Sequence, residues 1–144
     1  MEWAALITWV LTAGGGFVLL ATWLSRGGMR QQREAGSRIR PPLILSHFAL
    51  AAGGLVLWII YLAADEEALA WIALALLGVV AVLGFTMFAI WTRQRNDPTL
   101  RAAQATAGAP AEQHFPVPIV ALHGLLAVTT VVLVLLTALG VGES

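Results

Sequence analysis

Four stretches free of charged side chains organise the chain, at positions 3–25, 41–64, 68–92 and 116–141. Each exceeds the about 20 apolar residues that a helix needs to cross a hydrocarbon core roughly 30 Å thick. Between them lie an arginine-rich segment, a short acidic turn and a longer polar loop. This pattern predicts an all-α integral membrane four-helix bundle forming a single transmembrane domain over residues 1–144. The first stretch does not read as a cleaved secretory signal: it carries Glu2 instead of a basic start, runs long, and ends on Arg26 without a small-residue cleavage pattern.

Composition agrees with the pattern. Hydrophobic residues make up 59% of the 144 and charged residues 11%, against about 25% charged in soluble domains. An ordinary water-soluble domain is excluded. Cysteine is absent, which removes disulfides, thiolate metal sites and c-type haem attachment. The net charge of zero conceals a segregation, because all eight cations are arginines and lie in two loops. Arg26, Arg30, Arg33, Arg38 and Arg40 occupy the first loop, and Arg93, Arg95 and Arg101 the third. By the positive-inside rule both loops are expected in the cytoplasm. Glu2, Asp65, Glu66, Glu67 and Glu143 then fall outside with both termini. Trp3 and Trp71 would mark the outer boundary and Trp23 and Trp91 the inner one, as a lipid-facing belt. The basic loops need no nucleic acid to explain them, and neither contains a phosphate-binding glycine motif. Residues 102–111 are mostly small and read as a linker, which nearby prolines keep from being a continuous helix.

The two halves of the sequence resemble each other. At a shift of 68 positions Trp3, Ala5, Leu6, Gly16, Phe17, Ala21 and Trp23 fall on Trp71, Ala73, Leu74, Gly84, Phe85, Ala89 and Trp91. At a shift of 76, Pro42, His47, Leu50, Ala51 and Leu57 fall on Pro118, His123, Leu126, Ala127 and Leu133. Matches among Leu and Ala are cheap, so the weight rests on tryptophan, proline and histidine recurring at fixed offsets. Two parallel two-helix repeats are expected, over about 1–67 and 68–144, related by an axis along the membrane normal.

His47 and His123 are the only ionisable side chains within the four stretches, each five residues beyond a proline. That spacing puts them roughly 7 to 8 Å inside the cytoplasmic boundary. Ionisable groups at such depth are costly, turn to the bundle interior and mark function by default. His114, in the polar loop, reads as solvated. One and two turns beyond each histidine, on the same face, stand Ala51 and Gly54 in one helix and Ala127 and Thr130 in the other. These small residues leave room for a flat group, and equally for close helix packing. The histidines alternatively act as polar contacts, to each other, to a carbonyl or to Thr129 or Thr130. Zinc is less suited, since it wants four ligands. A proton relay lacks the usual Asp or Glu chain. A transporter path would have only scattered polar residues such as Thr8, Thr12, Tyr61 and Thr137. Haem needs only two axial imidazoles from the protein, with Arg38 and Arg40 placed to pair its propionates.

Paired histidines on the second and fourth helices, each followed by small residues, resemble the membrane b-type cytochromes, and the run Leu122-His123-Gly124-Leu125-Leu126-Ala127 is similar in style. The abundance of Ala, Arg, Gly and Val without Lys also resembles membrane proteins of GC-rich bacteria. The larger cytochromes carry four ligating histidines, whereas only His47 and His123 match here, which implies a single haem b. The resemblance implies an electron-transfer protein of the bacterial inner membrane, not a stand-alone enzyme and without catalytic residues. It would be the anchor or a subunit of a redox complex with quinone a candidate reactant. His47 and His123 would be the iron ligands, with Ala51, Gly54, Ala127, Thr130 and Arg40 around the cofactor. Besides lipid, a partner membrane subunit or a second copy is expected, because four short helices enclose little interior. The alternative is a non-catalytic accessory or assembly subunit in which the two histidines are interhelical contacts.

Overall fold

In a computed structural model the chain is all-helical, with no strand among the described residues, which are 1–30 and 39–141. Five α-helices follow in order: α1 (Glu2–Ser25), α2 (Pro41–Ala64), α3 (Glu67–Asn96), α4 (Pro98–Ala107) and α5 (Val117–Ala138). A short 3-10 turn, Ala111–His114, precedes α5. α1, α2, α3 and α5 are long and apolar enough to cross a membrane. Arg33, Arg38 and Glu143, assigned to sides of the membrane by their charge, lie outside the described residues.

Local chemistry sets the helix ends. Two prolines, Pro41 and Pro42, open α2, and Pro118 sits in the first turn of α5, where a missing N–H costs nothing. α2 closes on Asp65 in the left-handed region, φ 54°, a conformation that Asp tolerates, and α3 begins two residues later. α3 does not stop where its apolar stretch does. It runs on through Arg93, Gln94 and Arg95, two cations that suit the negative end of a helix. The expected linker is itself partly helical, because the Asp97 side chain accepts hydrogen bonds from the Thr99 and Leu100 amides and caps α4. α5 ends at Ala138, short of the apolar stretch, with Gly140 turning the chain at φ 69°.

α1 packs chiefly along α5 and α2 chiefly along α3, with lesser contact between α3 and α5 and between α1 and α2. Large apolar side chains such as Ile7, Val56, Val82, Phe85 and Leu125 point outward and are exposed. A surface of this kind suits lipid rather than water. The buried residues form two clusters. One gathers Trp9, Trp58, Tyr61, Ala73, Leu77 and Val134 at the acidic end. There the Tyr61 hydroxyl donates to Glu2 Oε1 at 2.6 Å, and Trp58 Nε1 donates to the Glu2 carbonyl at 3.4 Å. The other gathers Trp23, Ile39, Ile44, Trp91 and Ala111 at the arginine end.

This second cluster corrects the expected tryptophan belt. Trp3 and Trp71 are exposed as a belt requires, but Trp23 and Trp91 are core residues. Helix depth is legible in hydropathy, whereas the direction a side chain faces depends on its neighbours. Trp91 Nε1 donates to the Glu112 carbonyl at 3.0 Å, while Trp23 Nε1 is buried without a partner among the described residues. Gly28 lies directly on the Trp23 ring, and a β-carbon there would run into it. Gly28→Ala should therefore cost about 1 to 3 kcal/mol by overpacking, read as a lower unfolding temperature in detergent. Gly27→Ser is a poor control because Gly27 has φ 79°, and Gly53→Ala, where a β-carbon meets open space, is a good one.

Candidate functional site

Between the two clusters lie His47 on α2 and His123 on α5, both half-buried, with ring centres 6.3 Å apart and planes inclined at 62°. His47 Nδ1 is 3.0 Å from the Val80 carbonyl oxygen on α3. His123 Nδ1 is 2.9 Å from the Thr12 carbonyl oxygen on α1. A carbonyl oxygen only accepts, so in each ring Nδ1 carries the proton and donates. Each Nε2 is thereby left with a lone pair, and neither has a hydrogen-bond partner among the described residues.

The helix that supplies each carbonyl also makes room for the ring. In an α-helix the carbonyl of residue i faces residue i+4. Four residues after Thr12 is Gly16, and four after Val80 is Gly84. A β-carbon on Gly16 would stand 3.2 Å from His123 Cε1, and one on Gly84 3.2 Å from His47 Cε1. A β-carbon on Gly15 would also touch His123, at 3.4 Å from its Cβ. A β-carbon at 16 or 84 would make the imidazole give way by a few tenths of an ångström. The two units match in every part, imidazole, carbonyl and glycine, at the sequence offsets of 68 and 76.

Gly16 is nine residues before the end of α1 and Gly84 twelve before the end of α3, which is about 14 and 18 Å along those helices; the last four residues of α3 lie beyond its apolar stretch.

The remaining candidates are placed as follows. Ala51 and Ala127 are half-buried. Gly54 is buried, but the space beside it is taken by Trp9, whose ring edge would be 3.0 Å from a β-carbon there. Thr130 is buried; its hydroxyl donates to the Leu126 carbonyl and lies 3.4 Å from that of Thr12. Arg40 is exposed at the start of α2. His114 is exposed, as expected of a solvated side chain. Thr8, Thr12 and Thr137 donate to carbonyls of their own helices and Tyr61 to Glu2 across to α1, so the scattered polar residues already have partners. Of the glycine run in α1, Gly14 faces open space while Gly15 and Gly16 meet His123.

Sequence reasoning names a carbonyl among the possible histidine partners, as found, but not which two carbonyls, and it misses the glycine notches. Backbone carbonyls leave no residue signature, but Gly16 and Gly84 recurring at the repeat offset do carry the signal. It also misses Glu112, wholly buried, which accepts from Gln94 Nε2 at 3.2 Å, while Gln113 Nε2 donates to Gln94 Oε1 at 2.7 Å. Among the described residues no group of three or more His, Cys, Asp or Glu is placed to hold a metal ion. The pair of imidazoles can thus supply two ligands and no more. No protein-family model, no curated protein and no solved structure matches this chain.

Proposed function

We propose that this protein binds one haem b between His47 and His123 and carries electrons in a bacterial inner membrane, as the anchor or a subunit of a quinone-linked redox complex. The observation that carries the reading is the matched pair of imidazoles, each fixed through Nδ1 to a backbone carbonyl with Nε2 left bare. Metal-ligating histidines characteristically donate their other ring nitrogen to a carbonyl or carboxylate, which sets tautomer and orientation. The spacing is also suitable. The ring centres are 6.3 Å apart, close enough for both imidazoles to reach one group and equally within the about 4.5 to 7 Å of a direct ring contact. A ligand set of two imidazoles favours haem over zinc, because the macrocycle brings its own four nitrogens.

A bound haem would supply one-electron chemistry. The chain's own residues would hold it. Gly16 and Gly84 let α1 and α3 approach the rings, Ala51 and Ala127 keep the next turn small, and Thr130 offers a hydroxyl. Arg40 would pair with carboxylates at the arginine end, which is the cytoplasmic end if the basic loops obey the positive-inside rule. Gly54, filled by Trp9, would take no part.

The internal repeat belongs to this proposal. Supporting it, the shift that relates α1 to α3 and α2 to α5 exchanges the α1·α5 pairing with the α2·α3 pairing. It also exchanges buried Ala5 with Ala73 and buried Trp23 with Trp91. A parallel two-fold would put the two histidines at one depth on opposite sides of a central axis, the arrangement that a shared ligand demands.

The second reading, an accessory subunit with histidines as interhelical contacts, is favoured by the same two hydrogen bonds, each of which ties one helix to another. Contacts of this kind are worth about 1 kcal/mol. A reduced-minus-oxidised spectrum of the purified protein, after haem supplementation, separates the two. Soret and α bands of a b-type haem support the first reading, and their absence leaves the second.

A further inference from the structure

The arginine end of the molecule holds a cleft of about 320 Å³ lined by Arg95, Asn96, Arg101, Gln104 and Gln113, at the junction of α3, α4 and the turn before α5. Every lining side chain is polar, two are cations, and none is acidic. Among the described residues neither arginine has a carboxylate partner, and Asp97, the nearest acid in sequence, turns its carboxylate to the Thr99 and Leu100 amides of α4. Two unneutralised guanidinium groups in one concave site recognise an oxyanion, and tetrahedral phosphate oxygens best match their forked donors.

The cleft is braced from behind. The Arg95 guanidinium lies over the Trp91 ring, 4.9 Å from its centroid, which fixes its position while leaving its N–H groups unspent. Trp91 is buried and its indole donates to the Glu112 carbonyl. Gln113 is steadied by the bond to Gln94. On the other wall, the Asp97 cap fixes the start of α4 and so the place of Arg101 and Gln104 one and two turns on. The cleft sits just beyond the apolar part of α3, the level of lipid headgroups for a spanning helix.

We propose that this cleft binds a phosphate group through Arg95 and Arg101, with Asn96, Gln104 and Gln113 as further hydrogen-bonding partners. The phosphate comes either from an anionic lipid headgroup or from a free phosphate in solution. The inference is independent of haem binding. Its test uses the full chain in two arms. In the first, the protein is taken from nanodiscs of phosphatidylcholine with and without phosphatidylglycerol, and retained lipid is measured by native mass spectrometry. In the second, detergent-solubilised protein is dialysed against radiolabelled inorganic phosphate. Arg95→Gln and Arg101→Gln should each weaken retention about tenfold, the loss of one charge-assisted contact. Arg93→Gln, outside the cleft lining and exposed, should leave it unchanged. Retention of phosphatidylglycerol alone identifies the lipid source, and retention of phosphate in solution identifies the free one. Equal loss in Arg93→Gln, or retention in neither arm above the level of the double variant Arg95→Gln/Arg101→Gln, overturns the proposal. Because Arg101 is exposed on α4, its single variant keeps the test valid should replacing Arg95 disturb Trp91.

Discussion

Replacing either His47 or His123 by alanine is expected to abolish low-spin haem binding, while the protein still inserts and folds. The asymmetry of the two effects follows from what each imidazole does. As a hydrogen-bond donor across a helix interface, a histidine contributes about 1 kcal/mol, too little to decide whether four helices associate. As a ligand to the proposed haem it would be one of only two that the protein offers, and its loss would leave the group held from one side. Asparagine sharpens the contrast. His47→Asn and His123→Asn retain an N–H able to reach the Val80 or Thr12 carbonyl but lack the second ring nitrogen. If the histidines were interhelical contacts, the asparagine variants would keep stability and co-purification close to the parent. With ligation at stake, they should behave as the alanine variants do in the visible spectrum and, when all are compared without haem, as the parent in thermal unfolding. Visible absorbance and unfolding temperature measured on the same four preparations check this, and a full haem spectrum in any one of them contradicts it.

The second large effect is expected at the glycine notches. Gly16→Val sets its β-carbon 3.2 Å from His123 Cε1 and adds two branches beyond it, and Gly84→Val does the same to His47. A Cβ alone forces the ring back by a few tenths of an ångström, and two further methyl carbons leave it no place against the carbonyl. The cost combines overpacking of about 1 to 3 kcal/mol with the lost hydrogen bond of about 1 kcal/mol. Both valine variants should lower the unfolding temperature and lose haem, since an imidazole without its Nδ1 acceptor is no longer oriented. Gly14→Val, where a β-carbon meets nothing within 4 Å, should do neither. Equal effects at positions 14 and 16 would show that the glycines matter only for the backbone of α1 and not for the notch.

The sequence and the fold agree most closely where chemistry is one-dimensional. Hydropathy alone locates the four long helices, and the prolines at 41, 42 and 118 mark where two of them start. It misplaces ends that are set by polar chemistry. α3 continues past its apolar stretch because Arg93 and Arg95 suit its last turn, and α4 exists because Asp97 and Pro98 make a good helix start. The Asp-Pro pair is visible in the sequence, but the small residues that follow it read as a linker. Azimuth is the other gap. Trp23 and Trp91 lie at a boundary depth where lipid is the expected surrounding, yet each faces the interior. The histidine pair is legible because charge is scarce within the spans. Its partners are not, since a backbone carbonyl is present at every residue and only the recurrence of glycine at 16 and 84 hints which two are in use.

The proposed ligation of one haem iron by two imidazoles of one chain is decided by electron paramagnetic resonance of the oxidised, purified protein, with haem and protein quantified in the same sample. The expected result is low-spin ferric haem at one per chain, converted to high-spin or lost in His47→Ala and in His123→Ala. A haem-free protein after supplementation, or a haem whose spin state ignores both substitutions, would contradict it.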